Sequence, residues 1–157
     1  MTTHFSAGLT IYRDVISGDE MFSDKYKIKT IKDIFYEVEG GKVVSFESPV
    51  GRSVDIVLDH DLQQTYFTKD QYFTYIKEYG KDIKTYLTKQ GRDDRAAIFS
   101  RGFEDGVKVI LGHFKDWEFF TGESKNSEGM VALLNYRSDD VTPYMLFIKD
   151  GLEEEKA

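Results

Sequence analysis

Hydrophobic and polar positions change their period twice along this chain. In residues 9–58 the apolar side chains alternate or gather in short runs, the spacing of strands. Residues 34–39 read Ile-Phe-Tyr-Glu-Val-Glu and residues 42–47 read Lys-Val-Val-Ser-Phe-Glu, with Gly40 and Gly41 between them. Two β-branched and aromatic runs around a Gly-Gly pair predict a hairpin. Ser48-Pro49-Val50-Gly51 then predicts a break, and Val54-Asp55-Ile56-Val57-Leu58 an extended strand.

The middle of the chain takes the helical period. Thr68-Lys69-Asp70-Gln71 has the spacing of a capping box, in which a hydroxyl meets an orphan N–H and an amide three residues on reaches back. Tyr72, Ile76, Tyr79, Ile83 and Tyr86 recur at four- and three-residue steps, one face of a helix that Gly91 ends. Asp93 or Asp94 is the expected cap of a second helix with the stripe Phe99, Phe103, Val107, Ile110 and Phe114. Residues 68–90 and 93–114 are thus predicted to form an antiparallel helical hairpin. Gly102 and Gly106 inside the second helix predict close approach to its own sheet or its partner helix, since the helix is too polar for a membrane. Strand runs return at 117–121, 130–136 and 144–149. Strand-rich ends around a helical hairpin imply an α+β fold with an antiparallel sheet rather than alternating βαβ units.

Composition narrows the chemistry. The 157 residues fit a single domain, and the absence of cysteine excludes disulfides, thiolate nucleophiles and Cys-based metal sites. His4, His60 and His113 lie far apart, no Gly-x-Ser-x-Gly elbow is present, and Gly40-Gly41 precedes a strand rather than a helix. Neither a nucleophile site nor a phosphate cradle is therefore indicated, and no enzyme activity is expected. Residues 59–70 resemble a calcium loop superficially, but Gln64 and Asp70 stand where an EF-hand needs Gly and Glu. Asp139-Asp140 and the acidic run at 153–155 could hold calcium weakly through irregular oxygens, but more often such clusters are simply solvated, so metal ligands are left unassigned.

Net charge is −7, which argues against nucleic acid as a partner. The charge is segregated: residues 66–115 hold ten basic and seven acidic side chains, so the hairpin is +3 and the flanks carry −10. Lys77, Lys81 and Lys84 fall on one helix face, either a strip that meets acidic partners or a solvated face diluted by Glu78 and Asp82. No apolar run approaches the length of a membrane span, and residues 1–8 lack the blocks of a signal peptide. The expectation is a cytoplasmic monomer without membrane insertion, and export without a leader is compatible with it.

Several stretches together resemble the translationally controlled tumour protein (TCTP) family. Ile11-Tyr12-Arg13-Asp14-Val15-Ile16-Ser17-Gly18-Asp19-Glu20-Met21-Phe22-Ser23-Asp24 is similar to the family's opening segment. Val54-Asp55-Ile56-Val57, Leu62-Gln63-Gln64-Thr65 and Tyr75-Ile76-Lys77 follow in order. The run from Phe114 through Trp117 to Glu123, then Glu128-Gly129-Met130-Val131-Ala132 and Tyr136, fits the family's C-terminal signature. Thr142-Pro143-Tyr144-Met145 and Lys149-Asp150-Gly151-Leu152 complete the likeness. The resemblance implies one domain over 9–157, a β-tent of mainly antiparallel strands with a projecting helical hairpin, preceded by an extension at 1–8.

It also implies an interaction protein with roles in growth and survival regulation, calcium binding and tubulin or microtubule binding. The alternative it implies is an exchange-type regulator of a Rheb-like small GTPase. On that basis Lys77, Lys81 and Lys84 are the tubulin-binding candidates, and Glu20, with Asp19 beside it, the GTPase-contact candidate. No cofactor is expected beyond weak calcium. Three features depart from the family pattern. Ser48-Pro49-Val50-Gly51-Arg52-Ser53 is all that stands where the family has a long acidic loop, and Ala157 replaces a terminal Cys. Residues 28–33 resemble the family's proposed helix for binding a death regulator, but Lys32 occupies the position that asks for a small residue.

Overall fold

The computed structural model describes residues 8–45 and 48–157, with side chains except those of 44–53. Apart from Gly8, the extension expected at 1–8 lies outside the described residues. The strands are β1 (Thr10–Asp14), β2 (Glu20–Ser23), β3 (Lys27–Ile31), β4 (Phe35–Glu39), β5 (Lys42–Ser45) and β6 (Ser48–Val54). After helix α1 (Asp55–Asp59) come β7 (Gln63–Thr65), helices α2 (Lys69–Lys89) and α3 (Asp93–Gly112), then β8 (Glu118–Thr121), β9 (Ala132–Tyr136), β10 (Pro143–Ile148) and β11 (Leu152–Lys156). They form a six-stranded sheet in the order β3-β4-β10-β9-β8-β7, a three-stranded sheet β11-β1-β2, and the pair β5-β6. Every described pairing is antiparallel, as the pattern of the chain ends requires.

The helical hairpin matches its sequence signals closely. The Thr68 hydroxyl accepts from the Gln71 backbone N–H at 3.1 Å while the Thr68 N–H donates to the Gln71 side chain at 2.9 Å, closing the capping box. At the other end Gly91 takes φ +74°, its N–H bonds the Thr88 carbonyl, and the Arg92 N–H reaches back to Leu87. That double return is the glycine-dependent helix stop that satisfies the last carbonyls. Buried positions of α2 are Tyr72, Ile76, Tyr79, Ile83 and Leu87, so Leu87 rather than Tyr86 completes the stripe. In α3 the cap is Arg92, with no side-chain bond; Asp93 and Asp94 lie inside the first turn, facing the positive end of the helix dipole. Phe114 falls outside α3, in a 3-10 turn (Phe114–Asp116). Gly102 and Gly106 seat α3 on the sheet: a Cβ there would stand 2.7 Å from Ile34 Cδ1 and 2.6 Å from the Phe35 ring.

Four sequence expectations outside the helical hairpin fail. Gly40-Gly41 makes no hairpin between β4 and β5. Neither glycine has the positive φ that a two-residue hairpin turn needs, and β4 is flanked by β3 and β10 instead. The chain crosses here to another layer: Gly40 donates to the Pro143 carbonyl, and Gly41 exchanges bonds with Asp55. The tight turn is one hairpin earlier, at Lys32 (φ 52°) and Asp33 (φ 61°), where no glycine announces it. The segment 48–51 continues as strand β6 rather than breaking. Residues 55–59 are helical, not extended; Leu58 is 50% exposed, although strand alternation would bury it beside Ile56. Residues 28–33, which resemble a partner-binding helix, form strand β3 and its turn. The acidic run at 153–155, read as solvated, is exposed along β11, which pairs with β1, and Arg13 Nε lies 2.8 Å from Glu155.

Candidate functional site

The α2–α3 hairpin carries the site of greatest interest. Opposite the buried stripe of α2, Lys77, Lys81 and Lys84 are all exposed. Among the described residues none of the three is in an ion pair; Lys77 rests its ammonium 5.6 Å from the Phe73 ring centroid. They edge an open groove of about 500 Å³ between α2 and α3. Across it stands Lys108, 3.8 Å from Glu104. The diluting acids of the sequence reading lie elsewhere: Glu78 and Asp82 face a second cavity of about 650 Å³ with Tyr75, Tyr79 and Glu128. Burial, then repulsion from Glu78 and Glu128, pushes the Asp82 carboxyl above its ordinary pKa. The helix thus separates its charges, basic toward one cavity and acidic toward the other. Among the described residues no three His, Asp or Glu side chains converge to hold a metal ion.

Asp19 and Glu20 are adjacent in sequence but do not act together. Asp19 accepts from the Ser124 hydroxyl at 2.6 Å and backbone at 3.3 Å, tying the turn before β2 to the segment after β8. Glu20 opens β2 rather than sitting in a free loop, and its carboxylate lies 2.7 Å from Nδ1 of buried His60. It therefore holds α1 against β2 instead of projecting. Beside that pair, Tyr26 donates to Asp59, which also takes Lys25 at 3.0 Å. Partial burial opposes it, yet these two donors and the nearby cations hold the Asp59 carboxyl below its usual range.

Two anchors escape pattern reading. Asp14, 2% exposed, accepts from Ile16 N–H (2.9 Å), the Ser17 hydroxyl (2.7 Å) and Met130 N–H (2.7 Å), joining the two ends of the chain's signature. Arg95 grips Asp150 with two parallel bonds of 2.7 and 2.6 Å and Asp33 with a third of 2.6 Å. Lys149 adds a bond to Asp33 at 2.6 Å, and these cations lower the Asp33 pKa. The network clamps the start of α3 to the Lys32-Asp33 turn and so supports the two left-handed residues there. No sequence signal marks it, because its members are 55 and 62 residues apart.

Comparisons with known proteins bear on this assembly. A sequence model described as translationally controlled tumour protein matches residues 9–51 and 45–153. The human translationally-controlled tumor protein is 48% identical over 172 residues, covering 94% of this chain and 99% of the human one. The homolog from Branchiostoma belcheri is 46% identical over 170 residues, with the same shares covered. Among solved structures, the Schizosaccharomyces pombe tumor-associated protein p23fyp superposes with TM-score 0.82 at 37% identity, covering 94% of this chain and 99% of that one. The Caenorhabditis elegans protein gives 0.77 at 28%, covering 94% and 98%. The shared sheet-and-hairpin architecture and the matches along nearly the whole sequence agree, and the chain belongs to the translationally controlled tumour protein family.

Proposed function

We propose that this chain is a non-enzymatic interaction protein that docks acidic protein surfaces, tubulin's among them, on the lysine face of α2. The observation that supports this is the exposure of Lys77, Lys81 and Lys84, without ion-pair partners among the described residues, on a chain of net charge −7. A local positive strip on an acidic molecule selects and orients an acidic partner while the rest of the surface repels it. Growth and survival roles follow in this reading from which partners are held. The exchange-factor alternative asks for a projecting acid, and the engagement of Glu20 with His60 does not favour it.

Co-sedimentation with microtubules tests the reading. The triple charge reversal Lys77→Glu, Lys81→Glu, Lys84→Glu is expected to abolish binding with the fold intact, because all three side chains point to solvent. Raising salt toward 1 M, where the Debye length shrinks to ~3 Å, should weaken the wild type likewise. Binding that ignores both changes would refute it. Calcium binding is proposed to be weak, with a dissociation constant around 10⁻⁴ M or higher, as for acidic surfaces without a preorganised loop. Titration calorimetry giving submicromolar affinity would overturn that.

A further inference from the structure

The groove beside the lysines is more than a charged strip. Its floor is apolar: Phe103 and Val107 of α3 are 7% and 9% exposed, and Phe73 of α2, 47% exposed, stands at one end with Leu111 opposite. Gly80 makes the floor deep, since the Phe103 ring lies where a Cβ would come within 2.6 Å of it. The rims are cationic, with three lysines on α2 and Lys108 on α3 against the single acid Glu104. From Phe73 to Lys84 the groove runs ~16 Å along α2, the length of about three helical turns. Lys77, Lys81 and Lys84 are themselves spaced by four and three residues, the period at which one flank of a neighbouring helix repeats.

We propose that this groove seats an acidic amphipathic helix of a partner protein. The partner's apolar side chains, recurring at i, i+4 and i+7, fill the floor, and Asp or Glu along its flanks meet the lysine rims. This rests on the docking reading above and specifies its partner: a folded helix with a greasy face, not merely an acidic tail. The apolar floor supplies contact that an unstructured acidic chain cannot use, while the rims repel a basic helix.

The test uses the full chain and two synthetic peptides of roughly fourteen residues and identical Leu/Glu/Ala composition. One places Leu at helical spacing; the other is shuffled so that no apolar face forms. Calorimetry should give at least tenfold tighter binding for the amphipathic peptide, with backbone amide shifts at Gly80, Ser100 and Phe103. Phe73→Ser, at a half-exposed position, should erase the tenfold preference without moving the melting temperature, and Leu111→Ser, on α3 across from it, checks the facing wall of the groove. Equal affinity for the two peptides, both lost on lysine reversal, would sink the helix seat and leave the docking face standing. No binding of either peptide, together with no microtubule binding, would sink both. Binding to phosphatidylserine vesicles in place of the amphipathic peptide would overturn the proposal in favour of a lipid surface.

Discussion

Replacing Arg95 by Met is expected to lower the unfolding free energy by about 3–5 kcal/mol, the cost of leaving a buried charge without its partner. The Asp150 side chain is 3% exposed and its two oxygens are held by Arg95 Nε and Nη2. Met preserves much of the stem's volume and removes only the fork. Asp33 loses less, because it is 59% exposed and keeps Lys149. Arg95→Lys should recover little, since an ammonium cannot make the parallel pair of bonds. The second variant Asp150→Asn in the Arg95→Met background removes the orphaned charge and should restore part of the loss. Urea unfolding of wild type, Arg95→Met, Asp150→Asn and the double variant gives the coupling energy directly. A loss below ~1 kcal/mol for Arg95→Met would show that water reaches Asp150 and that the clamp is ornamental.

Ile76→Ala should cost about 2–5 kcal/mol, the range for truncating a buried aliphatic side chain into a cavity. Ile76 is 2% exposed, one turn from Tyr72 and Tyr79, which are 1% exposed. These aromatic neighbours pack at a tilt or stacked and are slow to collapse into a gap, so the upper half of the range is favoured. Lys81→Ala on the exposed side of the same helix should shift stability by less than ~0.5 kcal/mol. A loss under half a kcal/mol at Ile76 would put the stripe on the wrong face of α2.

The parts of the fold legible in the sequence are those in which signal and structure are local. Thr68 with Gln71, Gly91, and the two apolar stripes each act within a few residues, and all are found where expected apart from the shift to Leu87 and the loss of Phe114. Where neighbours from afar decide, the reading fails. Gly40-Gly41 carries a hairpin composition, but its partners are Pro143 and Asp55. Lys32-Asp33 turns because Arg95 and Lys149 hold Asp33, which no dipeptide rule contains. At the candidate site the lysine strip is visible as a helical period. The groove beside it is not, because its depth comes from Gly80 meeting Phe103 on the other helix. Glu20 reads as a free acid only while His60, forty residues on, is out of sight.

The buried tyrosines of α2 also make the molecule its own optical gauge. Burial pushes the Tyr72, Tyr75 and Tyr79 phenols well above their ordinary range, and Tyr79 has no hydrogen-bond partner among the described residues to favour its anion. The native state therefore keeps their protons where an unfolded chain sheds them, near pH ~10. Stability is undiminished below that pH and falls above it, by up to about 4 kcal/mol per pH unit when all three phenols ionise on unfolding. The tyrosinate absorbance of these three, among the chain's ten tyrosines, should thus rise only in a steep step coincident with loss of helical dichroism in an alkaline titration. A titration in which no such step accompanies that loss would mean that the three rings ionise inside the native hairpin. The single indole, Trp117, lies 6.2 Å from Tyr144 at the sheet, so its fluorescence follows a different layer of the same molecule. Two chromophores in two layers let one spectrometer ask whether hairpin and sheet come apart together.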